Sequence, residues 1–176
     1  MRETIRELIS EEEVNARIRE LGAQISKDYE GKSVHLVCIL KGACIFMCEL
    51  AKRITVPVSM DFMTVSSYGS GTKSSGIVRI RKDLDDPIDG LDVLIVEDIV
   101  DSGRPLFYLE EVFRQRGCAS VRTITLLDKP ERRVVDLDVD YTGFVIPDQF
   151  VVGYGMDYDQ RYRDLPFIGV VEFSEE

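Results

Sequence analysis

Three segments of strand length are rich in apolar residues, and this pattern restricts the fold more than any other feature. They are residues 34–40, 93–96 and 121–127. Helical patterns separate them, in residues 40–54 and 106–116. Strands without polar alternation are buried on both faces, and helices that connect them lead each strand back in the same direction. The sequence therefore predicts an α/β fold with a mainly parallel sheet flanked by helices.

Charged residues follow each of these three strands directly. Right-handed crossovers place the carboxyl ends of the strands at one edge of the sheet, so the three following loops lie side by side. Open α/β sheets bind their ligands at that edge. We therefore expect a ligand site that draws on Lys41, Glu97, Asp98, Asp101, Asp128 and Lys129.

The remaining parts of the chain contain further local signals. Ser10 followed by Glu13 matches a capping box, which predicts the start of a helix. Apolar alternation over residues 56–62 predicts a half-buried strand, and residues 77–82 are expected to pair with it. The glycine- and serine-rich stretch 66–76 then forms the loop of a long hairpin. Short strands are expected towards the C-terminus, in TGFVI, FVVGY and FIGVV.

Length and charge indicate the class of protein. The chain has 176 residues, which suggests one domain, and its formal net charge of −10 argues against a broad nucleic-acid or acidic-membrane surface. No apolar run approaches the roughly 20 residues of a membrane span. The acidic N-terminus lacks the apolar core of a signal peptide, and the four cysteines contain no CxxC pair. We expect a cytoplasmic protein with reduced thiols and with neither nucleic-acid nor membrane partners.

The turn at residues 101–103 leads into the helix predicted at residues 106–116, and Pro105 is a favoured residue of a first helical turn. Backbone N–H groups at a helix start bind anions, and a glycine lets the anion come close. The simpler alternative is that the turn only caps the helix. That alternative leaves the adjacent acids Glu97 and Asp98 unexplained.

Glu97 and Asp98 are neighbouring carboxylates at the end of a buried strand, where burial and repulsion disfavour two charges. A vicinal diol donates one hydrogen bond to each of two carboxylates, and a divalent cation binds to carboxylate oxygens. A sugar phosphate combines the diol with a phosphate. The spacing suits a ribose 5-phosphate, with its hydroxyls at Glu97 and Asp98 and its phosphate over the turn. Asp101 is then near the anomeric carbon or the incoming base.

Five motifs in the same order resemble the type I phosphoribosyltransferases. VLIVEDIVDSG (93–103) is similar to the family's phosphoribosyl-pyrophosphate signature. Its acid pair followed by Asp101 resembles the 6-oxopurine branch, the hypoxanthine(-guanine) phosphoribosyltransferases. The other four motifs are LKGA (40–43), SSYG (66–69), LLDKP (126–130) and FVVGYGMDYDQRYRDLP (150–166). The resemblance implies a type I phosphoribosyltransferase fold in one domain over residues 1–176. A small hood subdomain would come from the N- and C-terminal segments, and a flexible flap from about residues 66–77.

The activity that the resemblance implies is purine salvage. A 5-phosphoribosyl group passes from 5-phosphoribosyl 1-pyrophosphate to hypoxanthine or guanine, with Mg²⁺ as the cofactor, and gives IMP or GMP and pyrophosphate. Glu97 and Asp98 hold the ribose hydroxyls and the metal, and Asp101 is the catalytic residue that meets N7 of the base. The 5′-phosphate is assigned to Asp101, Ser102, Gly103, Arg104, Pro105 and Leu106.

The resemblance also implies which residues bind the base. Lys129 donates to the exocyclic oxygen at position 6, Phe150 stacks on the ring, and the Val151 backbone reads the opposite edge. Asp157 belongs to the same purine-binding group and also holds a second Mg²⁺ through water.

Pyrophosphate is assigned to Lys41, Gly42 and Arg163, in a family where the Lys41–Gly42 peptide is often cis. Ser67 and Tyr68 belong to the mobile flap. They are expected to close over the site and to exclude water from the cationic transition state.

One position departs from the family pattern. Two residues after the glycine of the turn the family usually has a threonine that contacts the phosphate, and this chain has Pro105. Proline has neither a hydroxyl group nor a backbone N–H, so at least one phosphate contact is missing. Even with electrostatic compensation by Arg104, we expect weaker affinity for phosphoribosyl pyrophosphate than in a threonine-containing relative.

Two other classes are alternatives. VLIVED also resembles the acidic pair of response-regulator receiver domains, although there the pair lies near the N-terminus. A phosphoribosyltransferase fold used as a nucleic-acid-binding regulator is the other alternative, and such proteins need a basic face. The sequence leaves the preference among hypoxanthine, guanine and xanthine open. A homodimer or homotetramer is expected from the resemblance.

Overall fold

A computed structural model of the chain describes residues 2–68 and 77–175. The helices are α1 (Glu11–Asp28), α2 (Cys44–Ala51) and α3 (Arg104–Gln115), with a 3₁₀-helix at Pro130–Arg132. The strands are β1 (Arg2–Ile9), β2 (Val34–Ile39), β3 (Val58–Tyr68), β4 (Ile77–Lys82), β5 (Asp92–Val100), β6 (Ser120–Asp128), β7 (Tyr141–Val145), β8 (Val151–Val152) and β9 (Ile168–Ser174).

A six-stranded sheet with the order β4-β3-β2-β5-β6-β7 forms the centre of the described structure. Its neighbours pair in parallel, except β4, which is antiparallel to β3. Alternate residues of β2 point to opposite faces, so Leu36 and Cys38 belong to the core beneath α1 and α2. Val37 and Ile39 pack on the other face, in the core beneath α3. The predicted parallel sheet with helices on both faces is confirmed.

Strand β5 is longer than the sequence pattern predicted. It continues beyond residues 93–96 because β6 pairs with it as far as Val100, which lies opposite Asp128. Glu97 and Asp98 are therefore strand residues and do not belong to the loop after the strand. The prediction that placed them after the strand end was wrong by four residues. Helix α3 likewise begins earlier than predicted, at Arg104.

A second, three-stranded sheet has the order β1-β9-β8. The sequence pattern did not predict β1, whose residues alternate only weakly and are exposed or half-buried except for Ile9. Its pairing partner is β9, more than 150 residues away in the chain, with Ile5 opposite Val171. This sheet lies in the segments to which the hood was assigned. The division into domain and hood stays a prediction.

The capping box at Ser10 and Glu13 opens α1, as predicted. Strands β3 and β4 form the predicted hairpin and pair as far as Tyr68 opposite Ile77. Residues 69–76 and the side chains of Ser67 and Tyr68 lie outside the described residues, so the flap assignment is not tested. No helix in the described part of the chain is long and apolar enough to span a membrane. The four cysteines are free thiols.

Candidate active site

The carboxyl ends of β2, β5 and β6 are neighbours in the parallel sheet, and the residues that follow them meet at one edge. Two clefts open there. The first has a volume of about 300 Å³ and the second about 370 Å³. Both are lined by Ile99 and Asp101, so the end of β5 forms the wall between them. The sheet edge therefore offers two adjoining compartments, as a two-part ligand requires.

The two adjacent acids divide between the clefts. Glu97 lines the first cleft and Asp98 the second. Glu97 is only 8% exposed, and burial, reinforced by the charge of Asp98, raises the pKa of its carboxyl well above the usual value. Burial also raises the pKa of Asp98, although the Ile99 N–H, 2.7 Å from Asp98 Oδ1, and the charge of Arg163 oppose that shift. Burial thus disfavours a charge on either acid, and a hydrogen-bond donor or a cation at these carboxyls would offset that cost.

The start of α3 supplies the wall of the first cleft. Gly103 is the residue before the helix and has a φ of +80°, a conformation that glycine adopts without strain. The N–H of Arg104 donates to Ser102 Oγ at 3.3 Å, and Pro105, second in the helix, has no N–H to offer. Ser102, Gly103, Pro105 and Leu106 line the cleft, whereas the exposed Arg104 does not. The predicted phosphate-binding turn therefore lines the cleft. The Arg104 side chain, which was expected to compensate for the proline, does not.

Arg133 and Val134 support this turn, and the sequence patterns did not identify them. The Val134 N–H donates to the Ser102 carbonyl at 3.0 Å, and Arg133 Nε approaches the Asp101 carbonyl at 3.4 Å. Arg133 also forms an ion pair with Asp128. A Cβ on Gly103 would overlap the Arg133 side chain. Arg133 and Val134 line neither cleft, so these contacts stabilise the turn and leave the first cleft open to a ligand.

The second cleft contains the predicted base-binding residues. It is lined by Asp98, Asp101, Lys129, Phe150, Val151 and Asp157, together with Ile99, Arg132, Asp148 and Met156. The Phe150 ring is 54% exposed, and the ring of Tyr158 packs edge-on against it with centroids 5.6 Å apart. An exposed aromatic face held in this way is suited to stacking on a planar ligand.

Lys129 reaches the second cleft from the end of β6, with a side chain that is 9% exposed. Its Nζ lies 3.8 Å from Asp101 Oδ1 and 3.6 Å from Asp148 Oδ1. Arg132 Nη1 in turn lies 3.1 Å from Asp148 Oδ2. The sequence patterns did not single out Arg132 or Asp148, although Asp148 lies just before the motif at 150–166.

Gly42 follows β2 and lies between two other parts of the site. A Cβ on Gly42 would overlap the Asp98 carboxylate, and a Cβ on Gly155 would overlap the Gly42 carbonyl. The cis peptide in this loop joins Leu40 and Lys41. The sequence left open whether the Lys41–Gly42 peptide is cis, and the cis bond is the one directly before it.

A polar cluster connects Lys41 with the C-terminal loop. Gln160 Oε1 accepts from Lys41 Nζ at 3.4 Å and from Arg163 Nη2 at 3.2 Å. Arg163 also donates to the Gly155 carbonyl at 2.7 Å and lies 3.3 Å from Asp157 Oδ1. Lys41, Gly42 and Arg163, which line neither cleft, thus lie together beside Asp98. Gln160 was missed as the residue that joins them, although it belongs to a motif that the sequence analysis identified.

The arrangement matches a known family. The family described as "Phosphoribosyl transferase domain" matches residues 6–159. The chain belongs to the phosphoribosyltransferase family. The resemblance seen in the motifs is thereby confirmed, and the receiver-domain alternative was wrong.

Relatives of this phosphoribosyltransferase are similar over nearly its whole length. The hypoxanthine-guanine phosphoribosyltransferase of Streptococcus thermophilus is 53% identical over 165 residues, which are 94% of this chain and 92% of that protein. The enzyme of the same name from Bacillus subtilis is 52% identical over the same shares. A crystal structure of a hypoxanthine phosphoribosyltransferase from Staphylococcus aureus has a TM-score of 0.91 and 49% identity, covering 94% of this chain and 90% of that one. A hypoxanthine-guanine phosphoribosyltransferase from Bacillus anthracis, with a HEPES molecule in its active site, has the same TM-score at 45% identity, with 95% and 99% covered.

Proposed function

We propose that the protein is a magnesium-dependent hypoxanthine-guanine phosphoribosyltransferase of purine salvage. It transfers 5-phosphoribosyl from 5-phosphoribosyl 1-pyrophosphate to N9 of hypoxanthine or guanine and releases pyrophosphate. The observation that carries this proposal is the pair of clefts that meet at Asp101. One has a helix start suited to a phosphate, and the other has a buried cation and an exposed aromatic ring suited to an oxopurine.

The ribose 5-phosphate is assigned to the first cleft and its border. The phosphate lies against the turn from Asp101 to Leu106, where the backbone amides of a helix start attract an anion. The sugar lies where the clefts meet, and its 2′- and 3′-hydroxyls donate to Glu97 and Asp98. This satisfies two carboxylates whose burial otherwise disfavours their charge.

The purine is assigned to the second cleft. Its ring stacks on Phe150, its 6-oxygen accepts from Lys129, and the Val151 backbone reads the opposite edge. An amino group at position 6, as in adenine, donates where Lys129 also donates, so the site prefers oxopurines. Asp101 faces N7 of the base from the border between the clefts.

Pyrophosphate is assigned to the cluster beside Asp98. Lys41 and Arg163 supply positive charge there, and Gly42 allows an approach without a side chain. Ser67 and Tyr68 close over the site in this proposal and keep water away from the reacting carbon.

The donor set fits Mg²⁺. Hard carboxylate oxygens are its preferred ligands, and in phosphate-transferring sites it is usually held by one or two carboxylates plus substrate phosphates. In the described part of the chain no three metal-binding side chains come together. Glu97 and Asp98 are the residues that would hold one ion, and Asp157 would hold a second ion through water. When bound, the ion neutralises charge on the pyrophosphate leaving group.

The chemistry is a displacement at the anomeric carbon. The bond from C1′ to the pyrophosphate oxygen breaks, the bond to N9 forms, and positive charge develops on the ribose ring in between. Asp101 accepts the proton that leaves the N7–H tautomer of the base. The remaining residues bind both substrates in line and exclude water, which contributes through orientation and electrostatic preorganisation.

A spectrophotometric assay with phosphoribosyl pyrophosphate, Mg²⁺ and hypoxanthine, guanine or xanthine in turn tests the proposal. Turnover with an oxopurine supports it, and it also excludes a purely regulatory role. No turnover with any of the three, together with no binding of IMP or GMP, contradicts it.

The role of Asp101 is tested separately by an Asp101→Asn variant. Because general base catalysis contributes about 10²- to 10⁴-fold, the variant should lose rate on that scale while it still binds IMP. The control is Asp138→Asn, which changes an exposed carboxylate that lines neither cleft. Unimpaired turnover of the Asp101 variant removes this residue from the mechanism.

We also propose a cytoplasmic location and a homodimer or homotetramer in solution. Membership of a family of phosphoribosyltransferases with small-molecule substrates supports the first, and the resemblance to the 6-oxopurine branch implies the second. Light scattering of the purified protein measures its oligomeric state directly.

A further inference from the structure

Four side chains of alternating charge run along the second cleft. Arg132 lies 3.1 Å from Asp148, Asp148 lies 3.6 Å from Lys129, and Lys129 lies 3.8 Å from Asp101. They come from three separate parts of the chain, and all four line the same cleft. Only the two inner members, Asp148 and Lys129, have an opposite charge on either side.

Lys129 is the buried member of this row. Its side chain is 9% exposed, whereas those of Asp101 and Asp148 are 49% and 46% exposed. Both separations from its Nζ exceed the 2.7–3.2 Å of an N–H···O hydrogen bond. The two carboxylates therefore attract the ammonium group by charge without accepting a hydrogen bond from it, and its N–H donors remain available to a ligand in the cleft.

We propose that Asp148 is a positioning residue that sets the specificity for the 6-oxygen of the base by holding Lys129 away from Asp101. This inference rests on the proposed function. Without the charge of Asp148, Asp101 is the remaining carboxylate in the cleft within 4 Å of Lys129. Lys129 then moves towards Asp101, and its donors leave the 6-oxygen.

Arg132 gives Asp148 a fixed place in this arrangement. Its Nη1 lies 3.1 Å and 3.3 Å from the two oxygens of Asp148. Arg132 therefore holds both oxygens of the carboxylate, including Oδ1, which lies 3.6 Å from Lys129 Nζ. An ordinary surface ion pair contributes to stability alone. A positioning role differs from it because its effect depends on which atom the ligand carries at position 6.

The test compares two nucleotides that differ at that atom. Isothermal titration calorimetry measures the binding of IMP and of purine riboside 5′-monophosphate, which lacks the 6-oxygen, to the wild-type protein and to Asp148→Asn. Loss of a charge that holds a buried cation is worth about 1 kcal/mol, so IMP binding should weaken about fivefold. Binding of purine riboside monophosphate should not change. Asp138→Asn serves as the matched control and should bind both like the wild type.

Two further variants separate positioning from structure. Asp148→Glu keeps the charge and should restore most of the IMP affinity. In a Lys129→Met background, Asp148→Asn should cause no additional loss of IMP binding, because Asp148 acts through Lys129.

Equal weakening for both nucleotides, or IMP affinity unchanged in Asp148→Asn, overturns the inference while the proposed function stands. A wild-type protein that neither turns over oxopurines nor binds IMP overturns the proposed function, and this inference with it.

Discussion

Pro105 stands where the resemblance predicts a threonine that contacts the phosphate. It lines the first cleft at the second position of α3, where other residues present a backbone N–H to an anion. The neighbouring Arg104 is exposed and does not line the cleft, so its compensation for the missing contact is at most long-range. The position of Pro105 in the cleft is therefore consistent with the weaker phosphate affinity that the sequence predicts.

Pro105→Thr should lower the KM for phosphoribosyl pyrophosphate. A hydrogen bond to a charged group contributes about 1.5–3 kcal/mol, and we expect a decrease of about tenfold. Steady-state kinetics at saturating hypoxanthine measure this change. Pro87→Thr is the control, since Pro87 is exposed in the turn before β5, at the opposite end of that strand. An unchanged or higher KM in the Pro105 variant contradicts the prediction.

At the scale of elements, the loop after β8 positions much of the site. It contains residues with positive φ that are not glycine, namely Tyr154, Asp159, Gln160 and Tyr162. Such conformations cost energy and persist where the surrounding structure enforces them. Here the Tyr162 hydroxyl and Arg161 bond to Glu3 of β1, and Arg163 bonds back to the Gly155 carbonyl. The loop after β8 is therefore stabilised in part by its bonds to β1 of the three-stranded sheet.

Gly155→Ala should displace Gly42, one of the residues to which pyrophosphate is assigned. Gly155 has a φ of +98°, and an added Cβ would overlap the carbonyl of Gly42. Gly31→Ala is a matched control, because Gly31 has a φ of +77° with no atom within 4 Å of the added Cβ. Left-handed conformation alone costs about 1–2 kcal/mol, which both variants share.

Urea denaturation and steady-state kinetics distinguish the two glycine variants. Gly155→Ala should lose more stability than Gly31→Ala, and it alone should show a raised KM for phosphoribosyl pyrophosphate. Equal losses of stability with unchanged kinetics would show that the contact between Gly155 and Gly42 has no functional consequence.

For the whole molecule, stability should depend on pH through His35, the only histidine. It lies in β2 at 8% exposure, with Nδ1 2.7 Å from Ser59 Oγ. Burial lowers its pKa below the ordinary 6.5, although Asp61 and Asp86 oppose the shift. Because the pKa of His35 is lower in the folded protein, the histidine of the unfolded chain is protonated first as the pH falls. This contribution to stability is present above pH 6.5 and is lost as the pH falls through the folded-state pKa.

When the pH is lowered from 7.5 to 5.5, we therefore expect the free energy of unfolding to decrease less in His35→Gln than in the wild type. Urea denaturation at both pH values measures the difference. The raised pKa values of Glu97 and Asp98 act in the opposite direction, and they cancel because both proteins contain these acids. Identical pH dependence of the two proteins contradicts a buried, neutral His35.

Local patterns in the sequence were sufficient for the central sheet and for most of the site. Apolar runs identified β2, β5 and β6, and the residues that follow them lie at one edge because parallel strands end together. The order of five motifs identified the family. The assigned roles of individual residues stay predictions until they are tested.

Only the tertiary structure decided the contacts between distant segments. β1 has a weak pattern of its own and becomes a strand because β9 pairs with it. Asp148, Arg132 and Arg133 are ordinary surface residues in the sequence, and they matter because folding places them against Lys129 and the phosphate turn. The sequence by itself determined periodicity and local motifs, since these depend on near neighbours. Which charges meet across a cleft depends on how the elements pack.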